Sequence, residues 1–196
     1  MLVPSTAADV PALVDCLSVS FADDPVVQWF LRQDGGHDAA QRLFFEHAVA
    51  RMTLPHGWVR HVEEHRGVAL WAPPGTWDLG LRQQLALLGD MVRIVSMRSL
   101  PRVLAALHVL EAHHPPGHVY LSFLCTRPEH RGRGLGRQLL EPMCERCDQE
   151  GLPIYLENTK PVNEGFYRRF GFEPLHDLLL PGASDMYYLG MARYPT

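Results

Sequence analysis

His118 to Gln149, HVYLSFLCTRPEHRGRGLGRQLLEPMCERCDQ, is the stretch that decides the fold. Val119, Leu121, Phe123 and Cys125 alternate with Tyr120, Ser122, Leu124 and Thr126, the period-two pattern of a strand. Arg127-Pro128 ends it. From Leu135 the apolar residues recur as Leu135, Leu139, Leu140, Met143 and Cys147, which is helical spacing. Between strand and helix lies Arg131-Gly132-Arg133-Gly134-Leu135-Gly136, so the glycines sit where the helix begins. The first N–H groups of a helix have no internal partner and carry the positive end of its dipole, so such a terminus binds anions. Glycine lets the backbone come close to a phosphate, and Arg131, Arg133 and Arg137 add full charge around the same point.

Two familiar phosphate loops do not fit. A Walker loop needs Lys then Ser or Thr after its last glycine, whereas Gly136 is followed by Arg137-Gln138; a dinucleotide fingerprint needs G-x-G-x-x-G, whereas the run here is Gly132-x-Gly134-x-Gly136. The run resembles instead the pyrophosphate loop of the GNAT superfamily of acyl-CoA N-acyltransferases, Gln or Arg, two residues, Gly, one residue, then Gly or Ala, through Arg131, Gly134 and Gly136. A second segment, Leu156 to Phe172 (LENTKPVNEGFYRRFGF), resembles that family's later strand, its Asn-containing helix and its Phe-Tyr…Gly-Phe ending. The resemblance covers residues 118 to 193 well and the earlier part more loosely. Phe21 to Pro25, Val68 to Trp71, the His-Pro-Pro turn and Leu156-Glu157 are similar to the puromycin N-acetyltransferase-like branch, which carries Gln where this chain has Arg131 and differs in its first half.

The 196 residues suit one domain, residues 1–196. With 46% hydrophobic and 20% charged residues the composition is that of an ordinary globular protein. A formal charge of −4 argues against a general nucleic-acid binder, so the arginines near Gly134 mark a local anion site. No apolar run approaches a bilayer span, and the start Met1-Leu2-Val3-Pro4-Ser5 lacks the pattern of a signal peptide, so a cytoplasmic location is expected. The four cysteines do not suggest a disulfide framework.

Taken in order, residues 1 to 5 predict a short strand; Ser5 or Thr6 caps a helix to Ser20; Phe21 to Pro25 breaks it; Val26 to Leu31 predicts a short helix. Ala39 to Leu54 has helical spacing, and Trp58 to Glu64 with Gly67 to Ala72 reads as a hairpin turned at His65-Arg66-Gly67. Leu79 to Ala112 predicts helices interrupted near Ser99-Leu100-Pro101, and Pro142 should bend the helix that starts at Leu135. Pro153 to Glu157 predicts a strand, Pro161 to Arg169 a helix stopped at Gly171, and Phe172 to Asp177 with Asp185 to Arg193 the last two strands. The fold class expected is α/β (α+β), a central mixed, mostly antiparallel sheet with flanking helices.

The resemblance implies a site and a reaction: N-acetyl transfer from acetyl-CoA to a primary amine of a small molecule, by direct attack in a ternary complex. Main-chain groups of Leu124, Cys125 and Thr126 would pair with the pantetheine arm; Arg131, Gly132, Arg133, Gly134, Leu135, Gly136 and Arg137 would hold the pyrophosphate. Asn163 and Phe166 would lie on the cofactor side, and Tyr167 would protonate the leaving thiolate, as a phenol neutral at physiological pH can. The base remains open between Glu157, Ser122 with a water, Asp24 and a histidine; Glu157 is preferred because it ends the strand flanking the cofactor gap. Asp24, Trp29, Trp71 and Ser122 are placed near the acceptor, with Trp77 a further aromatic candidate.

Cys125 has no recognisable His or acid partner and is not read as a nucleophile. Cys144 and Cys147 fall on a helix and read as core rather than metal ligands. His113, His114 and His118 flank a Pro-Pro turn without ligand spacing and read as surface histidines. The same features leave a coenzyme A sensor, another acyl-CoA donor or a protein or peptide amine as alternatives, and the family resemblance allows a homodimer.

Overall fold

The computed structural model describes residues 1–76, 89–183 and 185–196. One seven-stranded sheet organises it, in the order β1 (Leu2–Pro4), β2 (Val59–Val62), β3 (Gly67–Ala72), β4 (Val119–Thr126), β5 (Ile154–Asn158), β7 (Leu189–Arg193), β6 (Glu173–Asp177). Every neighbouring pair is antiparallel except β4 and β5. The mixed, mostly antiparallel sheet is the one the sequence predicts.

Helices cover both faces. α1 (Val10–Ser20), α2 (Pro25–Phe30), α3 (His37–Glu46) and α4 (Leu100–His113) precede β4, α5 (Leu135–Glu150) follows it, and α6 (Glu164–Arg168) follows β5. β3 shows why two layers form: Val68 and Leu70 pack with α1 and α3 residues such as Leu13, Leu17 and Phe45. Ala69 and Trp71 point the other way, among Leu139, Leu140, Met143 and Cys147 of α5. A strand buried on both faces reads as a continuous apolar run, as GVALWA does.

Several predicted elements differ in detail. Thr6 precedes a 3₁₀ turn, Ala7–Asp9, in which Asp9 Oδ2 accepts 2.8 Å hydrogen bonds from the Thr6 N–H and hydroxyl, and α1 starts only at Val10. Ala39 to Leu54 is not one α-helix: α3 begins at His37 and passes into a π-helix, His47–Thr53. β2 stops at Val62, short of Glu64, because Glu64 and His65 both take positive φ (59° and 52°) in the turn. Pro142 lies inside α5, as the sequence predicts. The segment Pro161 to Arg169 divides into a 3₁₀ turn and α6. Of the predicted helical region Leu79 to Ala112, positions 79–88 lie outside the described residues, as does Trp77; residues 89–95 are helical, and the break falls at Ser96 (φ 71°).

The strict alternation predicted for β4 is also corrected. The β3–β4 register slips between Leu70, opposite Phe123, and Trp71, opposite Leu121, leaving Ser122 as an extra residue. After this bulge the phase inverts. Val119 and Leu121 face α5, and so does Leu124, while Phe123 and Cys125 turn to the α1 side. A bulge adds local twist to a strand, and here it falls where the site begins. Among the described residues no helix is long and apolar enough to cross a membrane.

Candidate active site

Gly132 and Gly134 have φ of 75° and 76°, and Gly134 is the N-cap of α5. A side chain at φ near +75° is disfavoured, so glycine sets the shape of this loop. The first backbone bond of the helix runs from Gln138 N–H to the Gly134 carbonyl, 3.2 Å. The N–H groups before it are those a helix start leaves without an intrahelical acceptor. Arg131 is anchored across the cavity by a 3.3 Å bond from Nη2 to the Ser20 carbonyl. Arg137 reaches Glu141 one turn on.

The loop opens into a cavity of about 1420 Å³. β4 and β5 pair only from Val119 with Ile154 to Leu121 with Leu156, just before the bulge. Beyond that point the strands separate, and among the described residues the main chain of Ser122 to Thr126 has its ladder only with β3. The cavity lies in this gap, between Leu124, Cys125 and Thr126 on one side and Glu157, Asn158 and Thr159 on the other. Its lining also includes the apolar Val27, Phe30, Ile94, Val103, Leu107 and Leu110, together with the polar His47, Thr53 and Asp90.

Glu157 and Tyr167 both line the cavity. The Glu157 side chain is only 6% exposed. The Tyr120 hydroxyl donates to its Oε2 at 2.5 Å, and His114 Nε2 lies 3.0 Å from Oε1. His114 Nδ1 is 3.0 Å from His118 Nε2, and His118 Nδ1 is 2.5 Å from the Pro115 carbonyl. Burial pushes the His118 pKa down to about 4, so its ring is neutral near pH 7. These two histidines are therefore not surface residues: the Pro-Pro turn folds them inward onto Tyr120 and Tyr155. Tyr120 and Tyr188, whose phenols burial and then Glu157 push well above the ordinary value, complete the enclosure. Burial, then the Asp24 carboxylate, also raises the Tyr167 phenol, which stays protonated at neutral pH.

Ser122, Asn163 and Phe166 line the cavity. Asp24 lines it too, but its Oδ1 accepts from the N–H groups of Val26 and Val27 (3.1 and 3.0 Å), and its Oδ2 accepts from Thr159 Oγ1 at 2.5 Å. It caps α2 and ties that helix to the β5 end. Two aromatic candidates fall elsewhere. Trp71 is fully buried under α5 on the opposite face of β3, where the pleat directs it. Trp29 lies outside the lining; it packs edge-on to Phe30 and under the Arg102 guanidinium, 4.5 Å away, whose Nη2 donates to the Trp29 carbonyl. Arg133 also lies outside the lining.

Cys125 Sγ lies 3.9 Å from Cys16 Sγ, and that contact, with burial, raises its pKa well above the ordinary thiol value. Burial raises Cys144 and Cys147 to about 12 and 11, so all three are protonated thiols at neutral pH. One His and carboxylate group, Asp9, His61 and His65, brings its ligand atoms within 4.8 Å of one another. Its two imidazoles are stacked at 4.3 Å and 17°, so their in-plane lone pairs run side by side rather than converging on a metal.

The sequence reading missed His114, Tyr120 and Tyr188. Tyr120 belongs to the strand pattern and His114 to an apparent surface turn, and only the inward fold of that turn joins them to Glu157.

Residues 57–172 match the family model described as the acetyltransferase (GNAT) family. An uncharacterized N-acetyltransferase of Schizosaccharomyces pombe is 29% identical over 177 residues, covering 85% of this chain and 71% of that protein. A structure from Corynebacterium glutamicum described as histone acetyltransferase HPA2 and related acetyltransferase superposes with a TM-score of 0.77 at 27% identity, over 100% of this chain and 96% of that one. Arylalkylamine N-acetyltransferase 2 of Aedes aegypti shares the fold, with a TM-score of 0.63 at 16% identity over 100% and 99% of the two chains. With the helix-start loop, the strand gap and the cavity between them, these matches show that the chain belongs to the GNAT acetyltransferase family.

Proposed function

We propose that this protein transfers an acetyl group from acetyl-CoA to the primary amine of a small molecule whose body is apolar. The observation that carries this reading is continuity: one cavity is lined by residues of the loop at 131–137, by the half of β4 beyond its pairing with β5, by a group of apolar side chains, and by Glu157 and Tyr167. The residues present fit coenzyme A. The helix start and Arg131 suit a pyrophosphate, and the β4 edge from Ser122 to Thr126 offers unpaired main-chain groups to an amide-bearing arm.

Acetyl-CoA, when bound, supplies the activated thioester. The chain supplies the rest. Backbone N–H groups near Leu124 to Thr126 orient the acyl group and stabilise charge as it develops on the carbonyl oxygen, an effect of about 3 kcal/mol per donor in other enzymes. Glu157 takes the proton that an incoming ammonium must lose before attack. Tyr167 gives a proton to the departing sulfur and recovers one from the new amide nitrogen. The apolar side chains of the lining exclude water and take the body of the amine. The Aedes neighbour's name specifies arylalkylamines, amines of this kind. The Corynebacterium neighbour's description names a histone acetyltransferase; a lysine amine needs the same chemistry, but the apolar lining from α2 and α4 suits a small acceptor better than an exposed chain.

Calorimetric titration with acetyl-CoA, followed by a thiol-release screen of apolar and polar primary amines and of basic peptides, tests the proposal. Binding with turnover on apolar amines is the expected result. Absence of binding, or turnover on peptides alone, overturns it.

A further inference from the structure

The hydrogen bonds around Glu157 fix where protons are. A backbone carbonyl only accepts, so the 2.5 Å contact between His118 Nδ1 and the Pro115 carbonyl places a proton on Nδ1. His118 is neutral, its pKa pushed down to about 4 by burial, so its Nε2 carries a lone pair. The 3.0 Å contact to that lone pair then places a proton on His114 Nδ1. What remains is His114 Nε2 facing Glu157 Oε1 at 3.0 Å. With Glu157 ionised and His114 neutral, two acceptors oppose each other there. One added proton turns this opposition into a hydrogen bond.

We infer that His114 holds the proton that Glu157 takes from the acceptor amine, and that His118, locked by the Pro115 carbonyl, fixes the His114 tautomer that makes this possible. The inference rests on Glu157 being the base of the proposed acetyl transfer. The ammonium N–H bond breaks as a proton passes to the carboxylate, directly or through Tyr120, whose hydroxyl donates to Oε2 and is replenished in the same movement. The proton then moves to His114 Nε2, and the carboxylate is restored. Acetyl transfer to an ammonium releases one proton overall, and the pair returns it to solvent once product has left.

His114 does not line the cavity, so it acts through Glu157 as a positioning residue. Among the described residues, the other titratable groups near the pair are Tyr120 on β4, Tyr155 on β5, His176 on β6 and Tyr188 before β7, with His113 of α4 packed against His176. The three phenols are held protonated by burial, and burial pushes the His176 pKa down. These four groups do not compete for the proton near pH 7.

Nitrogen-15 NMR of the full chain, with resonances assigned by single His→Gln variants, tests the lock without any substrate. The expected result is a neutral His118 protonated at Nδ1 near pH 7, His114 carrying its fixed proton on Nδ1, and a change at His114 Nε2 on acidification that Glu157→Gln abolishes. A proton on His118 Nε2, or a neutral His114 lacking the Nδ1 proton, overturns the inference. In kinetics, His114→Gln keeps a donor toward Glu157 but cannot take a proton. It should lower kcat by about 10²-fold or more, leave acetyl-CoA affinity unchanged and move the acid limb of the rate profile to lower pH. An unaltered kcat and acid limb also overturns it. Should the unmodified protein acetylate no amine, the proposed reaction falls, while the NMR result still decides the tautomers.

Discussion

The ring of Phe166 rests on the backbone of Gly136: a Cβ built at Gly136 would lie 3.2 Å from Phe166 Cζ. This contact packs the first turn of α5 against α6, the helix that carries Tyr167. Gly136→Val forces Phe166 away from the loop. Acetyl-CoA affinity should fall about tenfold, or about 1.4 kcal/mol, while the midpoint of urea unfolding changes little because both residues border the cavity. Calorimetry and urea melts of the variant separate the two effects.

Tyr167 stands beside Asp24 and Cys125, with burial as the main cause of its raised pKa. A phenol held above its ordinary value remains a proton donor throughout the neutral range. Tyr167→Phe should lower kcat by about 10²–10⁴ with unchanged acetyl-CoA affinity. The basic limb of the unmodified enzyme's kcat profile should lie above pH 9, because the donor deprotonates only beyond that. Single-turnover kinetics of the variant provide the check, and full activity would remove Tyr167 from the mechanism.

Cys125 occupies the cofactor strand, yet its Sγ points to Cys16 on α1 and is held protonated. In the proposed reaction the chemistry at this position belongs to its main chain. Cys125→Ala should therefore keep kcat within about threefold, with a stability loss of about 1 kcal/mol for the small void left behind. A trapped acyl-enzyme in the unmodified protein, detected by mass spectrometry after rapid quench and absent from the variant, would show that a thiol step had been overlooked.

Tyr167 was singled out by the family resemblance of its segment, whereas the helix-start loop and most strand segments were legible because each depends on local rules: glycine at positive φ, helix spacing, alternation along a strand. The β4 bulge was not, because one extra residue at Ser122 is set by the partner strand β3 and leaves no mark on β4's own pattern. Trp71 illustrates the same limit. Its place in an apolar run shows that it is buried, but not which layer receives it. His114 and His118 sit in a Gly-Pro-rich turn that reads as exposed, and tertiary packing alone brings that turn over β5. The apolar part of the cavity lining gathers residues from α2, the helical residues 89–95 and α4, far apart in the chain, so it has no sequence signature.

The buried neutral histidines make stability depend on pH in a specific window. A histidine whose folded pKa lies below the unfolded value of about 6.5 binds fewer protons when folded. Its contribution is thus complete above pH 6.5 and is lost as pH falls toward the folded value, about 4 for His118. His47, His61 and His176, whose pKa values burial also lowers, act in the same direction. For His118 the loss is roughly 3 kcal/mol across that window. Carboxylates held low, such as Asp9 by the Thr6 N–H and His65 and Asp15 by Arg127, keep their full contribution above about pH 4 and lose it only as pH falls further. Urea-unfolding free energy should therefore fall between pH 7 and pH 4.5. His118→Asn should be less stable at pH 7 but show a shallower decline, since the group that must be kept neutral is gone. Parallel curves for the two proteins would mean that His118 is not the neutral buried group described.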